Sequence, residues 1–265
     1  MPPGMEGAGR AEPRDVLRAL TVPVALIVAA TVAAAWYVTW STADASMALF
    51  ASPGMDVTGI GFAFALLVVM MVAMMLPSAL PMILAYHGIT RLEAGRPVRP
   101  ADRVATAIFG SAYFVVWGLF ALAALFGLMA FGLMDSMAGS MDGTFVLVSA
   151  VVLLAAGAWQ VTRTKEVCLA HCQSPMGFAL NHWRGGRLGA WRMGVRHAAY
   201  CIGCCWLFML VLFVSGTMSL LWMGAISVAI FVEKLGWRPS LVSRGIGVVL
   251  VAVGVLFAVQ ALTMA

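Results

Sequence analysis

The sequence predicts an all-α protein, a polytopic bundle of about seven transmembrane helices. Of its 265 residues, 63% are hydrophobic and only 10% are charged, which is typical of integral membrane proteins. The apolar stretches are close to the ~20 residues needed to cross ~30 Å of hydrocarbon. The Lys and Arg residues are concentrated in alternate connecting segments, as in polytopic membrane proteins. The chain therefore has no room for a large soluble domain.

The predicted spans follow in order along the chain. They are residues 19–40, 60–86, 104–131, 144–162, 197–214, 219–235 and 245–263. The first apolar run continues into Trp36 and Trp40, which favours an interfacial aromatic belt over a cleaved signal peptide. From His197 to Val232, across the fifth span and most of the sixth, the chain has no Asp, Glu, Lys or Arg, and this run is too long for a single crossing. We expect a hairpin there, with a Gly and Ser reversal at 215–219.

The positive charges predict the orientation. All sixteen Lys and Arg residues fall on one side of this map: Arg10, Arg14, Arg18, Arg91, Arg96, Arg99, Arg103, Arg163, Lys165, Arg184, Arg187, Arg192, Arg196, Lys234, Arg238 and Arg244. The opposite segments contain none. By the positive-inside rule the N-terminus is cytoplasmic and the number of spans is odd. We expect a cytoplasmic tail at 1–18 and a single transmembrane domain at 19–263, located in the cytoplasmic membrane, with a cytoplasmic loop at 163–196.

All five cysteines and three of the four histidines lie between residues 168 and 205. In a helix, His197, Cys201, Cys204 and Cys205 share one face, because their spacing is i, i+4, i+7 and i+8. Cys168 and Cys172 are also an i, i+4 pair. We expect them on a short helix that folds back onto the fifth span, with His171 pointing elsewhere. Thiols on the cytoplasmic side stay reduced.

These residue types predict a soft-metal site. Thiolates select copper(I), zinc or iron-sulfur clusters, and the donors suffice for tetrahedral zinc or for copper(I). Counting ligands does not choose between the two metals. The chain's nineteen methionines favour copper(I), although Met is also a common gap-filler in apolar interiors. In the second span Met71, Met74, Met75 and Met82 lie on roughly one stripe, and a predicted outer loop carries Met134, Met137 and Met141.

The remaining polar residues are weaker candidates. His87 and His182 are expected to be interfacial polar side chains. Glu233 and Lys234 are most simply an ion pair at the membrane surface. Because an ionisable group inside the apolar region is costly and usually functional, Glu233 is an alternative member of the metal site.

Three stretches carry a resemblance to a known family. They are Ala73-Met74-Met75-Leu76-Pro77-Ser78, Cys168-Leu-Ala-His-Cys172-Gln-Ser-Pro175 and Tyr200-Cys201-Ile-Gly-Cys204-Cys205-Trp206. Over about residues 60–235 the chain resembles a bacterial family of predicted metal-binding integral membrane proteins of uncharacterised function, some of them labelled copper chaperones. The resemblance implies metal binding at Cys168, Cys172, His197, Cys201, Cys204 and Cys205, and at Met74 and Met75.

The leading function hypothesis is copper(I) handling, delivery or homeostasis, with a metallochaperone or cuproenzyme as partner and no nucleic acid. The chain has no Walker phosphate loop, so it is not expected to be an ATP-driven pump. On the leading hypothesis it is not an enzyme. A membrane thiol-disulfide oxidoreductase using Cys201 and Cys204 is an alternative. A membrane assembly subunit with a structural zinc is another.

Overall fold

The computed structural model describes residues 13–50, 56–90, 92–93, 96–97, 102–130, 143–214, 219–236 and 238–264. This part of the chain is α-helical apart from one antiparallel pair of short strands, β1 (Leu92–Glu93) and β2 (Arg96–Pro97). The helices are α1 (Pro13–Ser41), α2 (Ala43–Phe50), α3 (Val57–Ile89), α4 (Arg103–Ala130), α5 (Gly143–Trp159), α6 (Arg163–Gln173), α7 (Pro175–Asn181), α8 (Gly186–Val214), α9 (Leu220–Leu235) and α10 (Pro239–Met264).

Five of these helices, α1, α3, α4, α8 and α10, are long and apolar enough to cross a membrane. The pair α5 and α6 would make a sixth span if its two helices, which bend by 65° at their break, form one crossing. A helix lies on every stretch that the sequence predicts as a span, but α9 has only 16 residues. The helical class is thus confirmed with five or six candidate spans, and the count of seven stays a prediction.

The segment predicted as a cytoplasmic loop at 163–196 is itself helical. It contains α6, α7 and the first turns of α8, which begins at Gly186 rather than near residue 197. The Thr162 side chain caps α6 by accepting a hydrogen bond from the Lys165 backbone N–H. Pro175 occupies the first turn of α7, where its missing N–H costs nothing.

Helix α6 folds back onto α8, as the Cys168 and Cys172 spacing predicts. The contact depends on Gly203, since a Cβ atom added there would lie 2.6 Å from Cys168 Sγ. Trp159, the last residue of α5, also bonds to this part of α8, because its Nε1 donates to the Gly203 carbonyl at 3.2 Å. On the other side of α8, Gly194 allows α4 to approach, with an added Cβ only 2.4 Å from the Phe109 carbonyl oxygen. Two small residues thus bring α6 and α4 onto α8.

Helix α3 packs against α1, α4, α7 and α9, so it lies in the interior of the bundle. Its methionine stripe is buried in the core, including Met71, Met74, Met75 and Met82. The sulfur-rich faces of α3 and α8 therefore both point inward. The predicted reversal at 215–219 falls mainly outside the described residues, as do the outer-loop Met134, Met137 and Met141.

Candidate metal centre

Four thiols, here named the thiol cluster, meet in the interior: Cys172, Cys201, Cys204 and Cys205. All four belong to the hydrophobic core. Cys172 on α6 lies near the thiols of Cys201 and Cys204 on α8. Cys205 lies near Cys201 and Cys204 as well. All five cysteines are free thiols. Soft donors from two helices that are distant in sequence are thus close together.

Cys168 lies at the edge of this cluster. It is partly exposed, whereas the other four cysteines are buried. It sits on α6, which is too short to cross a membrane alone. Burial, and secondly the nearby Cys204, raise the pKa of the Cys168 thiol above its ordinary value. Of the five thiols, Cys168 is therefore the one that solvent reaches.

Helix α3 adds a thioether to the cluster. Cys205 Sγ lies 3.8 Å from Met75 Sδ, within the range of a sulfur hydrogen bond. Met74 is the preceding residue and is buried in the same core. A thioether beside thiols is a donor set that suits copper(I) better than harder cations.

His197 lies one helical turn before Cys201 and is 3% exposed. Its ring stacks near Tyr113 and Phe109, at centroid distances of 5.4 and 6.0 Å, and meets Phe178 edge-on at 5.7 Å. Neither ring nitrogen has a hydrogen-bond partner among the described residues. An unpartnered buried polar group is costly and rare. The imidazole thus has a free donor nitrogen to offer a soft cation.

Lys234 extends from α9 into the thiol cluster. Its Nζ lies 3.0 Å from Cys201 Sγ and 3.1 Å from the Ser78 hydroxyl of α3. The Tyr113 hydroxyl of α4 lies 3.2 Å from the same Cys201 sulfur. Cys201 is therefore the point where α4, α6, α8 and α9 meet.

The predicted surface ion pair between Glu233 and Lys234 is wrong. Both side chains are buried, and Glu233 pairs with Lys165 of α6 at 2.8 Å. Adjacent residues of a helix point about 100° apart, so Glu233 and Lys234 face different neighbours. Nothing in the sequence indicated this arrangement, because Lys165 lies in a segment that was predicted to be a loop.

The Lys165–Glu233 pair forms a second polar cluster beside the thiols. Gln160 accepts from Lys165, and the Ser243 hydroxyl of α10 donates to Glu233 at 3.1 Å. The Gln173 amide donates to the Glu233 backbone carbonyl at 2.7 Å. These bonds tie both ends of α6 to α9, and so they position Cys172, which lies next to Gln173.

The other histidines have partners outside the thiol cluster. His171 stacks on Tyr200 with centroids 4.1 Å apart and donates to the Val167 carbonyl, so it points away as predicted. His182 donates to the Phe178 carbonyl at 3.1 Å. His87 Nδ1 lies 2.9 Å from the Thr106 hydroxyl.

No group of three His, Cys, Asp or Glu side chains within the described ranges already has the geometry of a metal centre. The reason lies partly in the thiols' present bonds. Cys204 and Cys205 donate to the Cys201 carbonyl at 3.1 and 2.9 Å, so both sulfurs are turned toward their own helix. To bind a metal, Cys204 and Cys205 would have to change rotamer and give up these hydrogen bonds. The donor types fit a soft metal, although they are not yet arranged around one.

The fold and site together define a class: a helical protein with several membrane-length apolar helices and a buried group of thiols beside a thioether and an imidazole. The copper chaperone family PpoB2 matches residues 64–257, and the chain belongs to this family. The matched region includes every residue of the predicted metal site. Among curated proteins and solved structures, none matches the chain.

Proposed function

We propose that this protein is an integral membrane copper protein that binds copper(I) in its thiol cluster and delivers it to a partner. The observation that carries the proposal is the burial of Cys172 of α6 in the same core as Cys201 and Cys204 of α8. Membership of the copper chaperone family supports copper as the metal. Thiolate and thioether donors favour copper(I) over hard cations on chemical grounds.

The proposed ligand set follows the geometry. Cys172 and Cys201 are the two ligands proposed first, because they come from two different helices, α6 and α8, and are both buried. Cys204, Cys205 and Met75 offer further sulfurs, and His197 offers the unpartnered imidazole. Met74 remains a candidate on its position alone. Cys168, at the exposed edge, would receive or release the metal by ligand exchange, since an incoming thiolate can reach it.

The proposed topology has seven spans in one domain, with a cytoplasmic N-terminus, in a bacterial inner membrane. The one-sided distribution of Lys and Arg supports it. Helix α9 would then be a short span, accommodated by local thinning of the bilayer or by snorkelling of flanking residues. Copper would enter from a cytoplasmic donor and pass to a metallochaperone or cuproenzyme partner.

Metal analysis of the purified protein tests this function. We expect stoichiometric copper(I) after reconstitution under reducing, oxygen-free conditions. Cys172→Ser and Cys201→Ser should each lose most of it, whereas the control His182→Gln, which changes a histidine outside the cluster, should keep it. Zinc that binds in place of copper would contradict the proposal and indicate a structural metal. A metal-free protein whose Cys201 and Cys204 thiols cycle with a quinone would indicate an oxidoreductase.

A further inference from the structure

Lys234 is a buried cation whose surroundings are thiols. It is 5% exposed, and its ammonium nitrogen lies 3.0 Å from Cys201 Sγ. The cysteines that contribute to its electrostatic environment are Cys201, Cys204, Cys205 and Cys172, the whole thiol cluster. The nearest carboxylate along the chain, Glu233, is engaged with Lys165. A Lys is rarely buried without a partner that justifies its desolvation.

A copper(I) thiolate complex would be such a partner for Lys234, because the complex is negatively charged. When one copper(I) ion binds two thiols, two sulfur–copper bonds form and both thiol protons leave to solvent. One positive ion and two thiolates leave a net charge of −1. An isolated buried charge is strongly unfavourable, and a neighbouring opposite charge offsets that cost.

We propose that Lys234 is the built-in counter-charge of the metal site, which makes the copper(I) dithiolate complex neutral overall in the apolar core. The inference rests on the proposed function. It adds that the site accepts copper(I) as a complex with a net charge of −1. Lys234 acts as a positioning and charge-balancing residue rather than as a ligand. It is placed for this by Ser78, whose hydroxyl accepts from Nζ at 3.1 Å.

A purely structural role for Lys234 is the competing explanation. In that case its hydrogen bond to Ser78 would tie α9 to α3, and its charge would not matter. Three variants separate the two roles. Lys234→Met removes both charge and hydrogen bond, Lys234→Gln keeps a hydrogen-bond donor without charge, and Lys234→Arg keeps the charge. Ser78→Ala is the matched control, since it removes the hydrogen bond and leaves the ammonium.

The experiment measures copper(I) affinity by competition with a chromophoric chelator, using the full chain in detergent. Without the charge of Lys234, the copper(I) complex would be a buried anion with no counter-charge. We therefore expect copper(I) affinity to fall on the order of 100-fold in Lys234→Met and Lys234→Gln, and much less in Lys234→Arg and Ser78→Ala. Thermal unfolding of each metal-free variant serves as the measure of folding.

Two results would overturn the inference. One is that Lys234→Gln binds copper(I) as tightly as the parent, and the other is that Ser78→Ala loses as much affinity as Lys234→Gln. Either result leaves the proposed function intact. A parent protein that binds no copper(I) would instead remove the proposed function, and this inference with it.

Discussion

The ring of His197 on α8 stacks near the ring of Tyr113 on α4, with centroids 5.4 Å apart and an interplanar angle of 21°. This stacking holds an imidazole in the core although neither of its nitrogens has a hydrogen-bond partner in the described chain. His197 destabilises the metal-free fold and lies next to the thiol cluster. Its presence there is most simply explained if the imidazole is a metal ligand.

Replacing His197 by Phe tests that explanation. Phe keeps an aromatic ring among Phe109, Tyr113 and Phe178 and removes the unpartnered nitrogens, so we expect H197F to be as stable as the parent or to gain about 1–2 kcal/mol. Copper(I) affinity should fall, by roughly tenfold if one ligand of several is lost. Thermal unfolding and chelator competition provide the two readouts. Unchanged affinity with a gain in stability would exclude His197 from the site.

The close contact at Gly203 gives a second prediction. An alanine Cβ at this position would lie 2.6 Å from Cys168 Sγ, so G203A should push α6 away from α8 and cost about 1–3 kcal/mol. Gly224→Ala on α9 is the control, because nothing lies within 4 Å of its added Cβ. Combining G203A with Cys168→Ala should restore most of the lost stability. If G203A unfolds at the same temperature as the parent, the contact is not as the structure has it.

The buried ion pair gives a third prediction. Glu233→Gln leaves Lys165 as a buried cation without its carboxylate, which should lower the free energy of unfolding by about 3–5 kcal/mol. Glu166→Gln, at an exposed position on the same helix α6, should change it by no more than about 0.5 kcal/mol. Denaturant titration measures both. If both variants lower the free energy of unfolding by the same small amount, the stability of the fold does not depend on this ion pair.

Thiol reactivity gives a fourth prediction. Cys168 is partly exposed and the other cysteines are buried, so a bulky maleimide should modify Cys168 first in the native protein. With a membrane-impermeant reagent, labelling should occur only from the cytoplasmic side, and Cys168→Ser should abolish the fast phase. Silver(I), a copper(I) mimic, should slow the labelling of Cys168. Fast labelling from the outer side would contradict the proposed topology.

The sequence was most informative where periodicity and charge determine the answer. Apolar stretches located the long helices, and the i, i+4 spacing of Cys168 and Cys172 predicted a helix folded back onto α8. The spacing of Cys201, Cys204 and Cys205 likewise placed their thiols on one buried face.

What the sequence could not show depends on contacts between distant elements. Glu233 and Lys234 are neighbours in sequence, which suggested a mutual pair, yet each reaches a different helix. The partner of Glu233 is 68 positions away, and that of Lys234 is 33 positions away. Local patterns carry no information on such pairings, because they depend on how α6 and α9 pack.

X-ray absorption spectroscopy of the copper(I)-loaded protein shows which atoms hold the metal. The proposed site predicts copper(I) in a sulfur-dominated shell, and Cys172→Ser and Cys201→Ser should each lose sulfur neighbours or fail to load. Copper held only by nitrogen or oxygen, or loaded normally with an unchanged sulfur shell in both variants, would contradict it.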